Sequence, residues 1–304
     1  MGQYDKYICT TLEKRHLLPG PTPEQRDRLA AQGKRNSMEH LHETPGTFPH
    51  VHGFPELLSW WGTNPDDFGD TDPMGMQMDD EIIPLASSWV AYIPANLPHM
   101  PVFRAGVRSQ KYTRPTLHWV SGPGGVYTRE KDDKTKEAEA EKKAPPVARE
   151  VDPANSKYAR YMVFGTPPDI KRPDFMRPLN AEFSRPMAYI DQTVIPDAEF
   201  GFDTRWLLPA HGSPTGQVIM DAHALPYGTS IACIAMNYGD ITDLCAEVEL
   251  WIGGEKHVIT RGFWAYIPPN VLQGPMMVRN VSKQVFFMMS WPLGEGIRMY
   301  PGGQ

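Results

Sequence analysis

The chain has 304 residues, of which 40% are hydrophobic, so a generally disordered protein is excluded and two domains of ordinary size are expected. Its 31 prolines exclude a helical bundle, because each proline removes a backbone donor and breaks a helix interior. The net charge of −6 argues against a nucleic-acid binder, which needs a basic face.

The first predicted element is a short helix over residues 23–32. Thr22 suits its N-cap, Pro23 its first position and Gln25 a capping box, while Gly33 suits its C-terminal cap. The polar N-terminus lacks the apolar stretch of a signal peptide, and no apolar run reaches the roughly 18 residues that cross a bilayer. The three cysteines lack metal-type spacing, which is typical of a reducing compartment. We therefore expect a cytoplasmic protein with an N-terminal arm and helix over 1–37 and no membrane partner.

From residue 38 onward the pattern changes to short strand-like runs separated by proline and glycine. The predicted strands are 48–52, 57–61, 89–93, 102–107, 116–120, 161–164, 188–194, 206–208, 217–220, 231–236, 247–252, 257–259, 265–267 and 285–290. Residues 128–154 interrupt them with dense charge of both signs, which indicates a solvated linker. The prediction is an all-β fold with domains over 38–127 and 155–304.

An internal repeat supports the two domains. Residues 89–96 (WVAYIPAN) return at 263–270 (FWAYIPPN) with an offset of 174 residues, and the same offset aligns Pro101 with Pro275. Upstream, residues 55–62 resemble residues 246–253. The first copy carries an additional segment over 64–81, rich in Asp and Met, which we expect to be a loop or lid.

Four side chains of the first copy suit a metal ion. His50 and His52 alternate onto one face of a strand, Glu56 follows a bend, and His99 ends a rigid turn over 94–98. Three imidazoles and a carboxylate suit Fe, Mn, Co, Ni, Cu or Zn and leave one or two open positions.

The same residues resemble two motifs of the cupin superfamily. The spacing H-x-H-x3-E-x5-G over 50–62 resembles the first motif, and I-P-x-N-x-P-H over 93–99 resembles the second. With two copies, the chain resembles a bicupin, which implies two jelly-roll β-barrels, a metal in the first barrel and assembly as a homodimer.

The second copy departs from this pattern. Placing Glu247 on Glu56 puts Ile241 and Asp243 where the first two histidines stand, and Gln273 stands at the position of His99. We therefore expect a second barrel without metal.

Five residues are candidates for a substrate pocket around the metal. They are Trp61, Tyr92, Arg104, His40 and His42. Arg104 would either meet a substrate carboxylate or lie on the surface. His40 and His42 are groups behind the ligands, ligands in place of His50, or residues of a strand that enters the barrel. Other aromatic and thioether residues near the motifs are assigned to the core by default: Trp60, Trp89, Phe103, Met74, Met76, Met78 and Met100. Three further histidines have no partners at useful spacing and are assigned structural roles: His211, His223 and His257. His118 either points into the barrel or, by default, is a half-exposed residue of its strand.

These features predict a metal-dependent enzyme that acts on a small organic substrate. The favoured reaction is a dioxygenation of an aromatic or enolic compound with Fe or Mn, and Zn, Ni, Co and Cu remain alternatives. The resemblance equally allows O2-independent isomerases, decarboxylases, lyases and hydrolases, a non-catalytic ligand-binding or sensing protein, or a structural bicupin without metal. No glycine-rich phosphate loop precedes a helix, so no nucleotide cofactor is expected.

Overall fold

The structure is a computed structural model. It describes residues 2–4, 8–10, 49, 55–62, 64, 74–102, 116–121, 148–209, 216–237, 239–240 and 242–293. The predicted helix over 23–32 and the predicted strand over 48–52 lie outside the described residues, apart from position 49.

β-strands account for nearly all regular structure in this part of the chain. They are β1 (Ile8–Cys9), β2 (Glu56–Gly62), β3 (Met74–Met78), β4 (Glu81–Leu85), β5 (Trp89–Ile93), β6 (His99–Val102), β7 (Thr116–Ser121), β8 (Arg149–Glu150), β9 (Met162–Val163), β10 (Ser184–Ile190), β11 (Phe200–Leu207), β12 (Gln217–Met220), β13 (Thr229–Ala235), β14 (Asp243–Ile252), β15 (Glu255–Arg261), β16 (Phe263–Ile267), β17 (Gln273–Arg279) and β18 (Val285–Pro292). Two 3-10 turns, Pro153–Asn155 and Ala159–Tyr161, complete them. The predicted all-β class is confirmed. No helix among the described residues is long and apolar enough to span a membrane.

The first of two compact units contains the described residues 49, 55–62, 64, 74–102, 116–121 and 148–162. Its strands form two sheets, in the orders β7-β2-β5-β9 and β6-β3-β4-β8. Strands β3 and β5 are buried throughout, so both of their faces are covered. This explains why β3, with the sequence MGMQM, shows no alternation of apolar and polar residues and was missed.

The second unit contains the described residues 2–4, 8–10, 163–209, 216–237, 239–240 and 242–293. Its two sheets have the orders β1-β16-β13-β18-β11-β10 and β12-β17-β14-β15. A continuous apolar core fills the space between them, with Ile231, Leu250, Phe287 and Trp291 among its members. Alternation in β14 is clear, since every second residue is buried.

The 174-residue repeat is visible in the strand register. The hairpins β3–β4 and β14–β15 turn at equivalent positions, because Met78 pairs with Glu81 and Ile252 with Glu255. The turns before β6 and β17 also match: Asn96 and Asn270 have φ of 63° and 62°, in the left-handed region that Asn tolerates.

Two expectations about the repeat are corrected by the register. Residues 74–81 are not an additional loop, because they form β3 and its turn to β4, and β14 is their counterpart in the second unit. Glu247 is not the counterpart of Glu56. Glu56 pairs with Ile93, and the residue that pairs with the equivalent Ile267 is Thr229. The similarity of 55–62 to 246–253 is a local likeness between strands at different places in the fold.

Candidate metal centre

Glu56 and His99 meet in the interior of the first unit. Glu56 is the first residue of β2 and His99 the first residue of β6, so the two come from opposite sheets. Glu56 Oε2 and His99 Nε2 are 2.7 Å apart, and the residues are only 3% and 1% exposed. Two of the four side chains that the sequence predicts as ligands are therefore brought together in a buried position.

The ring of His99 is fixed by the turn that precedes it. His99 Nδ1 lies 2.9 Å from the carbonyl oxygen of Leu97, and the Leu97 N–H donates to the Pro94 carbonyl at 3.3 Å. A carbonyl can only accept, so Nδ1 carries a proton and Nε2 is the nitrogen turned towards Glu56. Histidine ligands in metal sites are commonly oriented by such a bond from their other nitrogen.

The pair fits a divalent transition-metal ion. A carboxylate oxygen and an imidazole nitrogen at 2.7 Å share a proton in this structure. Glu56 and His99 would hold a cation in place of that proton, since metal binding requires deprotonated ligands. His50 and His52 lie outside the described residues, and within the described part of the chain no group of three or more His, Cys, Asp or Glu could hold an ion.

The wall beside the pair is apolar and rich in methionine. Met78 lies directly opposite His99 in the sheet, so Met78, Met76 and Met74 face the same side as His99. All three are buried. On the opposing sheet, Leu58 follows Glu56 on its face, together with Ile93, Ala91 and Trp89 from β5. The inward positions of strands β2 to β6 include neither Lys nor Arg.

Two of the five candidate pocket residues, Tyr92 and Trp61, lie on the other face of their sheet. Tyr92 pairs with Leu57, and Trp61 is an odd number of residues from Glu56, so both side chains point to the opposite face of the sheet. There Trp61 Nε1 donates to Ser59 Oγ at 3.0 Å. The ring of Tyr92 packs against the ring of Tyr161, with 6.3 Å between the ring centroids. We therefore leave both out of the site. Arg104, His40 and His42 lie outside the described residues.

The second unit places a neutral pair at the equivalent position. Thr229 Oγ1 donates to Gln273 Oε1 at 2.7 Å, and both side chains are buried. His50 and His52 precede Glu56 by six and four residues. The residues that precede Thr229 by the same distances are His223 and Leu225. The sequence therefore contains a degenerate motif, H-x-L-x3-T over 223–229, that the alignment through Glu247 concealed.

His223 is buried in a setting that keeps it neutral. Its Nδ1 donates to the Asp221 carbonyl at 2.8 Å, and its ring stacks on Phe175 with 3.8 Å between centroids. Burial lowers the pKa of His223 to about 4. Its Nε2 has no hydrogen-bond partner among the described residues. Of the four ligand positions, the second unit thus keeps one imidazole.

No protein-family model matches the sequence, and no curated protein matches it. Among solved structures, AerE from Microcystis aeruginosa is similar with a TM-score of 0.41 and 12% identity, over 81% of this chain and 80% of that one. A Bacillus subtilis oxalate decarboxylase with Mn(II) centres is similar with a TM-score of 0.43 and 12% identity, over 81% of this chain. The match spans 65% of the decarboxylase chain.

Likenesses at this level concern the fold and carry no argument about the reaction. The strand order and register that the two units share are independent of them. The predicted fold class is confirmed: the chain has two double-sheet β units, and the first carries the motif residues Glu56 and His99 in contact.

Proposed function

We propose that the chain is a metal-dependent enzyme that acts on a small organic molecule in the first unit. Its ligands are His50, His52, Glu56 and His99. The observation that carries the proposal is the buried contact of 2.7 Å between Glu56 Oε2 and His99 Nε2, two motif residues 43 positions apart in the chain.

When bound, a divalent ion supplies Lewis-acid stabilisation of negative charge on a substrate oxygen. The protein's own groups prepare the site for it. The Leu97 carbonyl holds the Nδ1–H of His99, so the Nε2 lone pair is presented without rotation of the ring. The side chains of Met74, Met76 and Met78 are buried and apolar, and electrostatic interactions between polar groups are stronger in such low-dielectric surroundings.

Within this class, we favour dioxygenation of an aromatic or enolic compound. The support is the inner wall, where thioethers and the Trp89 ring offer polarisable contacts to a flat apolar substrate. A small dianion such as oxalate would meet no Lys or Arg at the described inward positions of strands β2 to β6. The second candidate is O2-independent Lewis-acid chemistry, which the Glu56–His99 pair would serve equally well. The homodimer rests on the resemblance alone and stays a prediction.

The test is a substrate screen with metal-reconstituted protein, run in air and under anaerobic conditions. The panel contains aromatic diols, enols and small dicarboxylates. We expect turnover of an apolar enol or diol with uptake of O2, and no turnover without O2. Turnover at equal rates without O2 would select the Lewis-acid alternative. Metal binding without turnover of any compound would favour a ligand-binding protein.

A further inference from the structure

A buried glutamate ties the β3–β4 hairpin to a segment that includes the last residues of the charged linker. Glu81, the first residue of β4, is 4% exposed. Its Oε2 accepts a hydrogen bond from Ser156 Oγ at 2.7 Å and one from the Lys157 backbone N–H at 3.2 Å. Because both donors belong to one segment, residues 148–158, this segment satisfies the buried carboxylate. We call it the strap.

The strap also follows the edge of the sheet. Strand β8 pairs in parallel with β4, and the Arg149 N–H donates to the Asp80 carbonyl at 3.0 Å. At the turn, the Tyr158 hydroxyl donates to Asp79 Oδ2 at 3.1 Å, and Lys157 Nζ to Asp80 Oδ1 at 2.6 Å. The last contact is between exposed groups and contributes little. The buried contacts at Glu81 are the ones that hold the strap in register.

The turn held by the strap is bonded directly to the turn that aims His99. The Asp79 N–H donates to the carbonyl of Pro98 at 2.7 Å, one residue before the ligand. Gln77 Nε2 donates to the Asp79 carbonyl at 2.9 Å. Met78, between them, is the residue paired with His99 across the sheet. Displacement of the strap would therefore loosen the residue that supports the backbone next to His99.

The second unit repeats this arrangement with a different strap. Glu255, equivalent to Glu81 by the 174-residue offset, accepts backbone hydrogen bonds from Gln3 at 3.1 Å and Tyr4 at 3.3 Å. The Gly253 N–H donates to the Leu272 carbonyl at 2.7 Å, as Asp79 does to Pro98. Two segments without sequence similarity thus end on the same carboxylate position. This recurrence indicates that the position serves to brace the hairpin, and only the first unit has a motif ligand beside it.

We propose that Glu81 is a positioning residue for the metal centre. It holds the strap, the strap holds the β3–β4 turn at Asp79, and this turn supports the backbone next to His99. The proposal rests on the proposed function, because it concerns a metal held at Glu56 and His99. The strap holds the His99 ring in its ligand orientation even without metal. Release of the strap therefore increases the rate of metal loss and has a smaller effect on the fold.

The test compares Ser156→Ala and Glu81→Ala with Glu255→Ala in the full chain. Ser156→Ala keeps the carboxylate and removes one donor, so it covers the case in which Glu81→Ala fails to fold. Glu255→Ala breaks the matching brace in the unit without a ligand beside it. We measure the rate of metal loss to a chelator, and hydrogen exchange of the Asp79 amide in metal-free protein.

We expect metal loss about 10-fold faster in both first-unit variants, with faster exchange at Asp79, and an unchanged rate in Glu255→Ala. Equal rates in all three variants and the unaltered protein would overturn the inference and leave the proposed function standing. Failure of the unaltered protein to hold metal after reconstitution would overturn both. Faster metal loss in Glu255→Ala alone would also contradict the role of Glu81.

Discussion

The two units of this chain differ at the place where they are most alike in geometry. In the first, Glu56 and His99 make a buried contact of 2.7 Å, and in the second, Thr229 and Gln273 make one of the same length at the equivalent register. A neutral hydroxyl–amide pair satisfies the buried polar position as well as a carboxylate–imidazole pair does. The fold therefore does not need the ligand residues, and their presence in the first unit points to function.

The apolar side chains beside these two pairs also differ between the units. Met74, Met76 and Met78 of the first unit correspond to Val248, Leu250 and Ile252 of the second, and all six are buried. Branched side chains fill a core of fixed shape, whereas methionine is flexible and polarisable and adapts to a ligand. The comparison teaches that two units with the same strand register have inner walls of different chemistry, branched in the second and thioether in the first.

The largest expected effect is a loss of stability when a buried aromatic ring is removed from the core of the second unit. Phe287 is buried opposite Cys233, within the apolar core of that unit. We expect Phe287→Ala to lower the free energy of unfolding by about 3–5 kcal/mol, through lost burial and the cavity left behind. Metal content should not change below the unfolding temperature, because the proposed ligands belong to the first unit. Calorimetry and metal analysis of the same sample check both parts; metal loss from the folded variant would show that the second unit contributes to the site.

The next effect is a pH dependence specific to the second unit. The pKa of His223 is lowered from 6.5 to about 4, so the folded state resists protonation that the unfolded chain accepts. The unfolded chain binds more protons between these values, and stability therefore falls as the pH drops from 6.5 towards 4, by up to about 3 kcal/mol. Urea unfolding at pH 7 and pH 4.5 measures this loss. In His223→Phe the loss should be much smaller, and an undiminished loss would show that other groups are responsible.

Replacing the inner-wall methionines of the first unit by their counterparts from the second should have a smaller effect on stability. Its effect on substrate binding should be larger. Met74→Val, Met76→Leu and Met78→Ile place the second unit's residues in the first. Because such substitutions are apolar and close in volume, each should cost less than about 1.5 kcal/mol. Metal content should be retained, while KM for an apolar substrate rises about 10-fold as the adaptable wall is lost. An unchanged KM would show that these methionines are ordinary core.

The sequence predicted the repeat well where single residues have strong backbone roles. Asn96 and Asn270 both adopt positive φ, and the flanking prolines fix the same turn, so these positions were recognisable without structure. Glu56 and His99 were recognised for a different reason, because their side chains carry ligand chemistry at motif spacing.

Other features could not be read with the same certainty. Strand β3 is buried on both faces and contains glycine, so neither period nor propensity marks it. In the degenerate motif over 223–229, His223 is the one residue identical to its counterpart in the first unit. The similarity of residues 246–253 in β14 to residues 55–62 instead led to a wrong alignment of Glu247 with Glu56. The placement of Tyr92 and Trp61 on the opposite face follows from strand alternation once the register is known.

The most direct measurement of the central claim is elemental analysis of the reconstituted chain beside a double variant, Glu56→Thr with His99→Gln. The variant transplants the neutral pair of the second unit into the first, so it should fold with a similar unfolding temperature. We predict about one equivalent of Fe, Mn or another divalent transition ion in the unaltered chain, and none in the folded variant. Equal metal in both proteins, or none in either, would contradict a metal centre at Glu56 and His99.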